Sequence, residues 1–558
     1  MLLDLLETGW EDLWEGSKGP EAFGAVYTRP DVVDLILDLA GYSPDSGRRL
    51  AVLRVLEPGC GDGAFISAVV GRLLCSELRH HGGSVAWDDP ALDGALRAVD
   101  INAAAVAAVR ASVGEQLVAA GCPARRAAEL AARWTVHADF LLNSWTERFD
   151  LICGNPPYLR LEDVPKAALA HYRANYSTLT DRADLFVAFI ERGLHLLSPH
   201  GCLAFICANR FAKNQYGAAI RRMIARDYHV RFYLNLEHTQ PFEREVSAYP
   251  AVIVVDREQG GPTAAGTLAD LEPATLRAVR GEAIHSAAPG PLLSRFDEWY
   301  PSGAPWLTTC HDEQSEHERL FAHLPTLERS AQGTTKIGIG VATGADRVFI
   351  VPGNPGGVEA DRLLPLAVAS DVSNQGVAWS GSYLLNPFAP ADDGSLVELA
   401  KYPGFARYLD EHASALRARH VARARPQNWF RTIDRVWPAL QRRPKLLIPD
   451  IQAHATIGYD PGELYPHHNL YWITSSGWNL QALKALLRSD LVYRQVKAHS
   501  VQMRGGSVRW QAQTLRRVRV PDFRWLRPSL VAELVRISTS DDQPALDALA
   551  AEAFAARG

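Results

Sequence analysis

The chain has 558 residues, 47% of them hydrophobic and 22% charged, and its formal net charge is -5. At about 100–200 residues per domain, this length predicts two to four domains with sizeable cores, and the composition is that of a soluble globular protein. A slightly acidic chain cannot be basic all over, so any nucleic-acid surface has to be a local patch.

The first residues, Met1-Leu2-Leu3-Asp4-Leu5-Leu6-Glu7, place acids inside the apolar run and have no basic start, which is unlike a secretory signal. No apolar stretch approaches the ~20 residues that a membrane span needs. Seven cysteines without a CxxC pair predict reduced thiols, a cytoplasmic setting and no structural zinc.

In chain order, residues 52–56 read as a first strand, followed by a Gly-rich turn and a helix over about 64–77. Residues 96–100 read as a second strand and lead into an Ala-rich helical stretch. Residues 135–137 and 150–153 are expected as strands three and four, 184–197 as a helix, and 203–207 and 252–255 as further strands. This βαβα rhythm predicts an α/β fold, a Rossmann-like, largely parallel sheet with helices on both faces and ligands at the carboxyl ends of its strands. The rhythm fades after residue 256. Residues 257–332, rich in Gly, Ala and Pro, are read as a connecting region. Patterning resumes at Lys336-Ile337-Gly338-Ile339-Gly340, so three segments are expected: 1–256, 257–332 and a C-terminal α+β domain over 333–558.

Glu57-Pro58-Gly59-Cys60-Gly61-Asp62-Gly63 lies between the first strand and its helix, where glycines let the backbone turn tightly and approach a ligand. Alone, it is equally a plain strand-to-helix turn. Asp100 ends the second strand, where a carboxylate can bind ribose hydroxyls, and Asp139 follows the third, where one can accept from a purine amino group. Each acid alone also reads as a strand end or helix cap; with the loop, the set reads as a nucleotide-type cofactor site.

The most informative segment is Asp150-Leu151-Ile152-Cys153-Gly154-Asn155-Pro156-Pro157-Tyr158. Two prolines stiffen the loop that leaves the strand. The Asn155 amide oxygen and the Pro156 carbonyl are adjacent acceptors, and Tyr158 supplies a flat ring. Two acceptors can hold both hydrogens of a planar NH₂ while a ring stacks on its heterocycle, which turns the nitrogen lone pair out of the plane toward an electrophile.

These motifs, in this order, resemble the TaqI-like branch of the gamma-class N6-adenine DNA methyltransferases over most of the chain. Gly24-Ala25-Val26-Tyr27-Thr28-Arg29-Pro30 resembles the N-terminal cofactor motif, which implies roles for Tyr27, Thr28 and Pro30. Glu57, Gly59, Gly61 and Asp62 fall in the next motif, Asp100 and Ile101 in the second, Asp139 and Phe140 in the third, and Asn155, Pro156, Pro157 and Tyr158 form the catalytic one. Asp184-Leu185-Phe186 and Cys207-Ala208-Asn209-Arg210-Phe211 are similar to later motifs. Pro241-Phe242-Glu243-Arg244-Glu245-Val246-Ser247 looks like the motif whose aromatic, here Phe242, packs on the target base. The resemblance implies S-adenosylmethionine as cofactor, double-stranded DNA as partner and direct methyl transfer to a flipped-out adenine held between Tyr158 and Phe242. No metal is implied.

Residues 337–350 resemble the start of the TaqI-like target-recognition domain, and 468–473 and 507–520 fit the same domain. Between Lys401 and Lys445, Arg407, Arg417, Arg419, Arg423, Arg425, Arg431, Arg435, Arg442 and Arg443 face only Asp410, Glu411 and Asp434, with Trp429, Phe430 and Trp437 interleaved. Arginines contact phosphates and guanine edges and aromatics wedge or stack, so Arg423, Arg425, Arg431 and Arg435 are taken as DNA-binding candidates. Arg504 and Arg509 come from a second basic cluster around Gly505-Gly506. A solvated helix face accounts for such runs as well. His467-His468 suggests a metal, but without a third ligand nearby in sequence the pair is read as surface residues.

Two alternatives remain open: the same chemistry on a protein glutamine or RNA base, and an inactive DNA-binding specificity component. The first cofactor motif already begins by Tyr27, and Pro449-Asp450 is not followed by an acid-x-Lys element, so no cleavage activity is expected in this chain. A separate restriction endonuclease or defence-system partner remains compatible with the sequence.

Overall fold

A computed structural model of the chain describes residues 10–14, 26–180, 183–244, 249–258, 260–285, 288–300, 302–306, 320–389, 394–500 and 507–556. The chain divides into two compact units, Met1–Gln314 and Ser315–Gly558.

The first unit is built on a nine-stranded sheet. In chain order its strands are β1 (Val55–Pro58), β2 (Leu96–Asp100), β3 (Thr135–His137), β4 (Phe149–Gly154), β5 (Leu197–Ala208), β6 (His229–Asn235), β7 (Pro250–Asp256), β8 (Thr263–Thr267) and β9 (Ser294–Phe296). Their spatial order is β3-β2-β1-β4-β5-β7-β6-β8-β9. The first five are mutually parallel, and β7 inserts antiparallel between β5 and β6. Side chains alternate across a strand. Val55, Leu151, Cys153, Ala204 and Ile206 therefore feed one apolar core, while Leu56, Ile152, Leu203, Phe205 and Cys207 feed another on the opposite face. Helices close both. Pro30–Leu39 and Ala64–His80 bury Val33, Ile36 and Leu37 and Phe65, Val69 and Leu73 in the first core, and Phe186–Leu196 buries Phe186, Ile190 and Leu194 in the second. Burial on both faces is why these strands read as nearly continuous apolar runs.

The first strand lies three residues later than expected, because Leu50–Val52 forms a 3-10 turn. The larger correction concerns residues 257–332, which are not one connecting region. Strands β8 and β9 extend the first sheet, the helix Pro273–His285 packs against Pro30–Leu39, and Trp306 is buried in the second core. The tail of the segment belongs to the second unit, where Phe321, Leu324 and Leu327 enter a core. Weak patterning hid this because β8 is built of small residues and threonines and β9, at the sheet edge, is only three residues long.

The second unit holds an antiparallel four-stranded sheet in the order Thr335–Ile339, Leu470–Ser475, Lys445–Pro449, Gly458–Asp460. A second sheet runs Ile350–Pro352, Ser382–Leu385, Leu363–Ala367, Tyr465–Pro466. The helices Leu480–Arg488, Asp490–His499, Pro528–Ile537 and Gln543–Ala555 cover the first sheet, which makes the unit α+β as expected. Among the described residues, no helix is long and apolar enough to cross a membrane.

Candidate active site

Strands β1 and β4 are neighbours, so the loops leaving their carboxyl ends face each other. On one side Gly59, Gly61 and Gly63 all have positive φ, and Gly63 (φ +86) is the N-cap of Ala64–His80. A side chain at Gly63 would be strained and would press on Val109 at 3.1 Å. Opposite is Gly154, also at positive φ, followed by Asn155. Between them lies a cavity of about 500 Å³.

Asp100 sits at its rim at the end of β2. Its two carboxylate oxygens accept from the Gly61 amide at 2.9 Å and the Asn102 amide at 2.8 Å. Burial raises its pKa, against the lowering effect of those bonds. Glu57 is fully enclosed; burial, with Asp62 and Asp100 nearby, pushes its pKa well above the usual carboxyl range. Its Oε2 has no partner among the described residues. Asp139 accepts from the Leu141 amide at 2.8 Å and from the Tyr172 hydroxyl at 2.5 Å, and Trp14 Nε1 donates to that hydroxyl at 3.1 Å. Burial raises Asp139 as well.

Asn155 is oriented from a distance in sequence. Its Nδ2 donates to the Val26 carbonyl at 2.7 Å and to Thr28 Oγ1 at 3.1 Å. With both hydrogens engaged, the amide cannot rotate freely, and Oδ1 is left buried without a partner among the described residues. Thr28 in turn bridges to Phe242, with Arg29 donating to the Pro241 carbonyl and Glu243 to the Tyr27 carbonyl. Residues 26–28, themselves held by 241–243, thus fix the Asn155 amide.

Among the expected cofactor residues, Tyr27, Thr28, Glu57, Gly59, Gly61, Asp62, Asp100, Ile101, Asp139, Phe140 and Asn155 line the cavity, and so does Pro157. Pro30 does not; it starts the helix Pro30–Leu39, where its fixed φ and missing N–H suit the first turn. Pro156 is buried beside the site. Tyr158 stays neutral, because burial pushes its hydroxyl well above the ordinary range. Phe242 is only 3% exposed and meets Tyr158 edge to face, with centroids 5.7 Å apart at 80°. The two rings pack on each other rather than framing a slot, so a base between them requires ring rotation. Sequence reasoning missed Trp14, Tyr172 and Phe189 on the cavity wall. Tyr172 lies on an unremarkable helix, Lys166–Asn175, and nothing in its neighbours signals the contact with Asp139. Residues 24–25 and 245–247 of the flanking motifs lie outside the described residues.

A family model described as Eco57I restriction-modification methylase matches residues 117–242. The chain is 41% identical over 531 residues to the type II methyltransferase M.XhoI of Xanthomonas vasicola, covering 94% of this chain and 96% of the relative. The chain belongs to the type II methyltransferases of restriction–modification systems. It is also 41% identical over 529 residues to M.PaeR7I of Pseudomonas aeruginosa (94% and 90% covered) and 37% identical over 555 residues to M.BstVI of Geobacillus stearothermophilus (95% and 96%). The fold is shared with the type IIL restriction-modification enzyme MmeI in complex with DNA, at TM-score 0.61 and 12% identity over all of this chain and 75% of that one. S-adenosylmethionine is the general cofactor of this type II methyltransferase family, and the donor set fits it: a strand-end carboxylate for hydroxyls, an enclosed acid with an unpartnered oxygen near the glycine loop, and apolar walls.

In the second unit the basic stretch of this methyltransferase separates into two kinds of arginine. Arg423 and Arg425 are exposed and have no side-chain partner among the described residues. Arg431 is half-buried with Nε on the Thr432 carbonyl at 3.2 Å, and Arg435 stacks on the half-exposed Trp437 ring at 3.7 Å. Arg419, by contrast, donates to the carbonyls of Leu416, Thr343, Trp429 and Arg431 and acts as an internal strut. Arg509, expected on the DNA side, is ion-paired to Asp450. Trp429 and Phe430, read as wedges, are 7% and 6% exposed and belong to the core. Arg504 lies outside the described residues. His467 is likewise buried rather than on the surface, because its backbone is bonded to two strands, at Ala367 and Leu470, and bridged to Val341.

Proposed function

We propose that this chain transfers a methyl group from S-adenosylmethionine to the N6 amino group of an adenine within a specific DNA sequence. The observation that carries this reading is the Asn155 amide: pinned at Nδ2 and buried, with Oδ1 left as an unused acceptor at the cavity wall. The cofactor, when bound, supplies an electrophilic methyl on a neutral leaving group. Asp100 accepts from the ribose hydroxyls, and Asp139, ordered by Tyr172, faces the purine end. Asn155 Oδ1 and the Pro156 carbonyl accept the two amino hydrogens of the target base, and Tyr158 and Phe242 rotate apart to hold its faces. Reaching such a base requires extrusion from the duplex. Catalysis on this reading is mostly positioning in a water-poor site, without a strong general base. Arg423, Arg425, Arg431 and Arg435 in the second unit are candidates for DNA contact, and the two most exposed of them are assigned to phosphates.

The test is methylation of unmodified duplex DNA by the purified chain with labelled cofactor, followed by nucleoside mass spectrometry. N6-methyldeoxyadenosine is expected. Label in N4-methyldeoxycytidine, or in protein or RNA but not DNA, would overturn the assignment.

A further inference from the structure

The adjacent histidines of the second unit have a third potential ligand after all. Asp346, from the short helix Asp346–Phe349, meets His467 and His468, which lie between the strands Tyr465–Pro466 and Leu470–Ser475. One ligand atom from each of the three lies within 4.8 Å of the others.

The hydrogen bonding around His467 is informative. Its Nδ1 lies 2.9 Å from Asn469 Oδ1, and in the tautomer that donates there Nε2 is the free ligand nitrogen. Its Nε2 then faces Asp346 Oδ2, another acceptor, at 3.3 Å. A neutral imidazole would point a lone pair at a carboxylate. A second proton or a cation between them removes that conflict. Two ligands each 2.0–2.1 Å from a tetrahedral ion lie about 3.3 Å apart, so a cation fits between these two atoms.

The surroundings are those of a metal site. The Asn469 contact fixes the tautomer of His467, and Thr343 Oγ1 donates to the other oxygen of Asp346 at 2.5 Å, fixing the carboxylate. The rings of His467 and His468 pack edge to face with centroids 4.1 Å apart at 62°, which restrains both side chains. The backbone is held too: the His467 amide donates to Ala367, its carbonyl accepts from Leu470, and Val341 bridges to it. The other His/acid cluster, Glu77, His81 and Asp89, differs in this respect, since the Arg49 guanidinium already neutralises Glu77 at 2.6 Å and Asp89 at 2.5 Å.

We propose that Asp346, His467 and His468 bind a divalent first-row cation, zinc by ligand chemistry, with a fourth position open to water. The ion ties the segment following Thr335–Ile339 to the junction of the two sheets. It thereby steadies Thr343, whose carbonyl receives the Ile433 amide of the basic stretch. This inference is independent of the base that is methylated.

The test uses the full chain without a polyhistidine tag, purified without chelator and then titrated with Zn²⁺ and Co²⁺. About one zinc per chain is expected, with the visible absorption of tetrahedral cobalt on substitution and a Tm that rises with Zn²⁺. His468→Ala and Asp346→Asn, both at exposed side chains, are expected to weaken metal affinity by at least ~10-fold while preserving the circular dichroism of the fold. Failure to bind stoichiometric metal at micromolar concentration would overturn the proposal. So would binding unchanged in both variants, or nitrogen NMR showing His467 doubly protonated in the presence of Zn²⁺.

Discussion

The cavity of the first unit and the basic stretch of the second are both rich in charge, but they use it in opposite ways. In the cavity, Asp100, Glu57 and Asp139 are kept at the ends of parallel strands with raised pKa values, and the Asn155 amide is restrained with one atom unused. In the basic stretch, Arg419 has already spent its donors on four backbone carbonyls, and further along the chain Arg509 is committed to Asp450. Charge density in sequence is therefore a poor guide to a binding surface, whereas an enclosed polar atom without a partner is a strong one.

The contrast is sharpest at Asn155. Asn155→Ala is expected to lower single-turnover methyl transfer by about 10³-fold or more, leaving cofactor affinity within about threefold. Comparable losses in both would turn Asn155 into a cofactor ligand only. Next in size is Arg419→Ala, expected to destabilise the fold by about 2–3 kcal/mol in urea titration, because it strands buried carbonyls. A neutral effect would return Arg419 to the pool of surface cations. Asp100→Asn is expected to weaken cofactor binding by about 10–30-fold by calorimetry, since it removes a charged acceptor. Arg423→Ala with Arg425→Ala is expected to leave stability within about 0.5 kcal/mol and to reduce the salt dependence of DNA binding by about two in log–log slope.

The smallest effect is that of pH. A buried carboxyl with a raised pKa favours the protonated form in the folded state. Its contribution to stability is present below its unfolded pKa and is lost as pH rises through the folded one. A cationic ligand reverses the preference by stabilising the carboxylates. Affinity for the sulfonium cofactor should therefore rise with pH above the ordinary carboxyl range, with protons released on binding. Calorimetry in buffers of different ionisation enthalpy would detect the release, and proton uptake would contradict it.

Much of the cavity was legible in the sequence because its parts are local. Glycines at a strand-to-helix turn, an acid at a strand end and Asn-Pro-Pro-Tyr after an apolar strand each declare themselves within a few residues. What was not legible depends on tertiary partners: Val26 and Thr28 orienting Asn155, Tyr172 and Trp14 on Asp139, and Asp346 beside His467. The same holds for β8 and the edge strand β9, which are too short and, in β8, too poor in large side chains to carry a period that separates them from a linker. Arginine is hardest to read, because a guanidinium serves equally as a strut on remote carbonyls or as a hand for phosphate.

The most direct test is to express the chain and its Asn155→Ala variant in a methylation-free bacterial host and map base modification across the genome by single-molecule sequencing. A fully N6-methylated adenine in one short sequence, absent with the variant, is the expected result. Equal modification with both proteins, or modification confined to cytosine, would contradict the role assigned to Asn155.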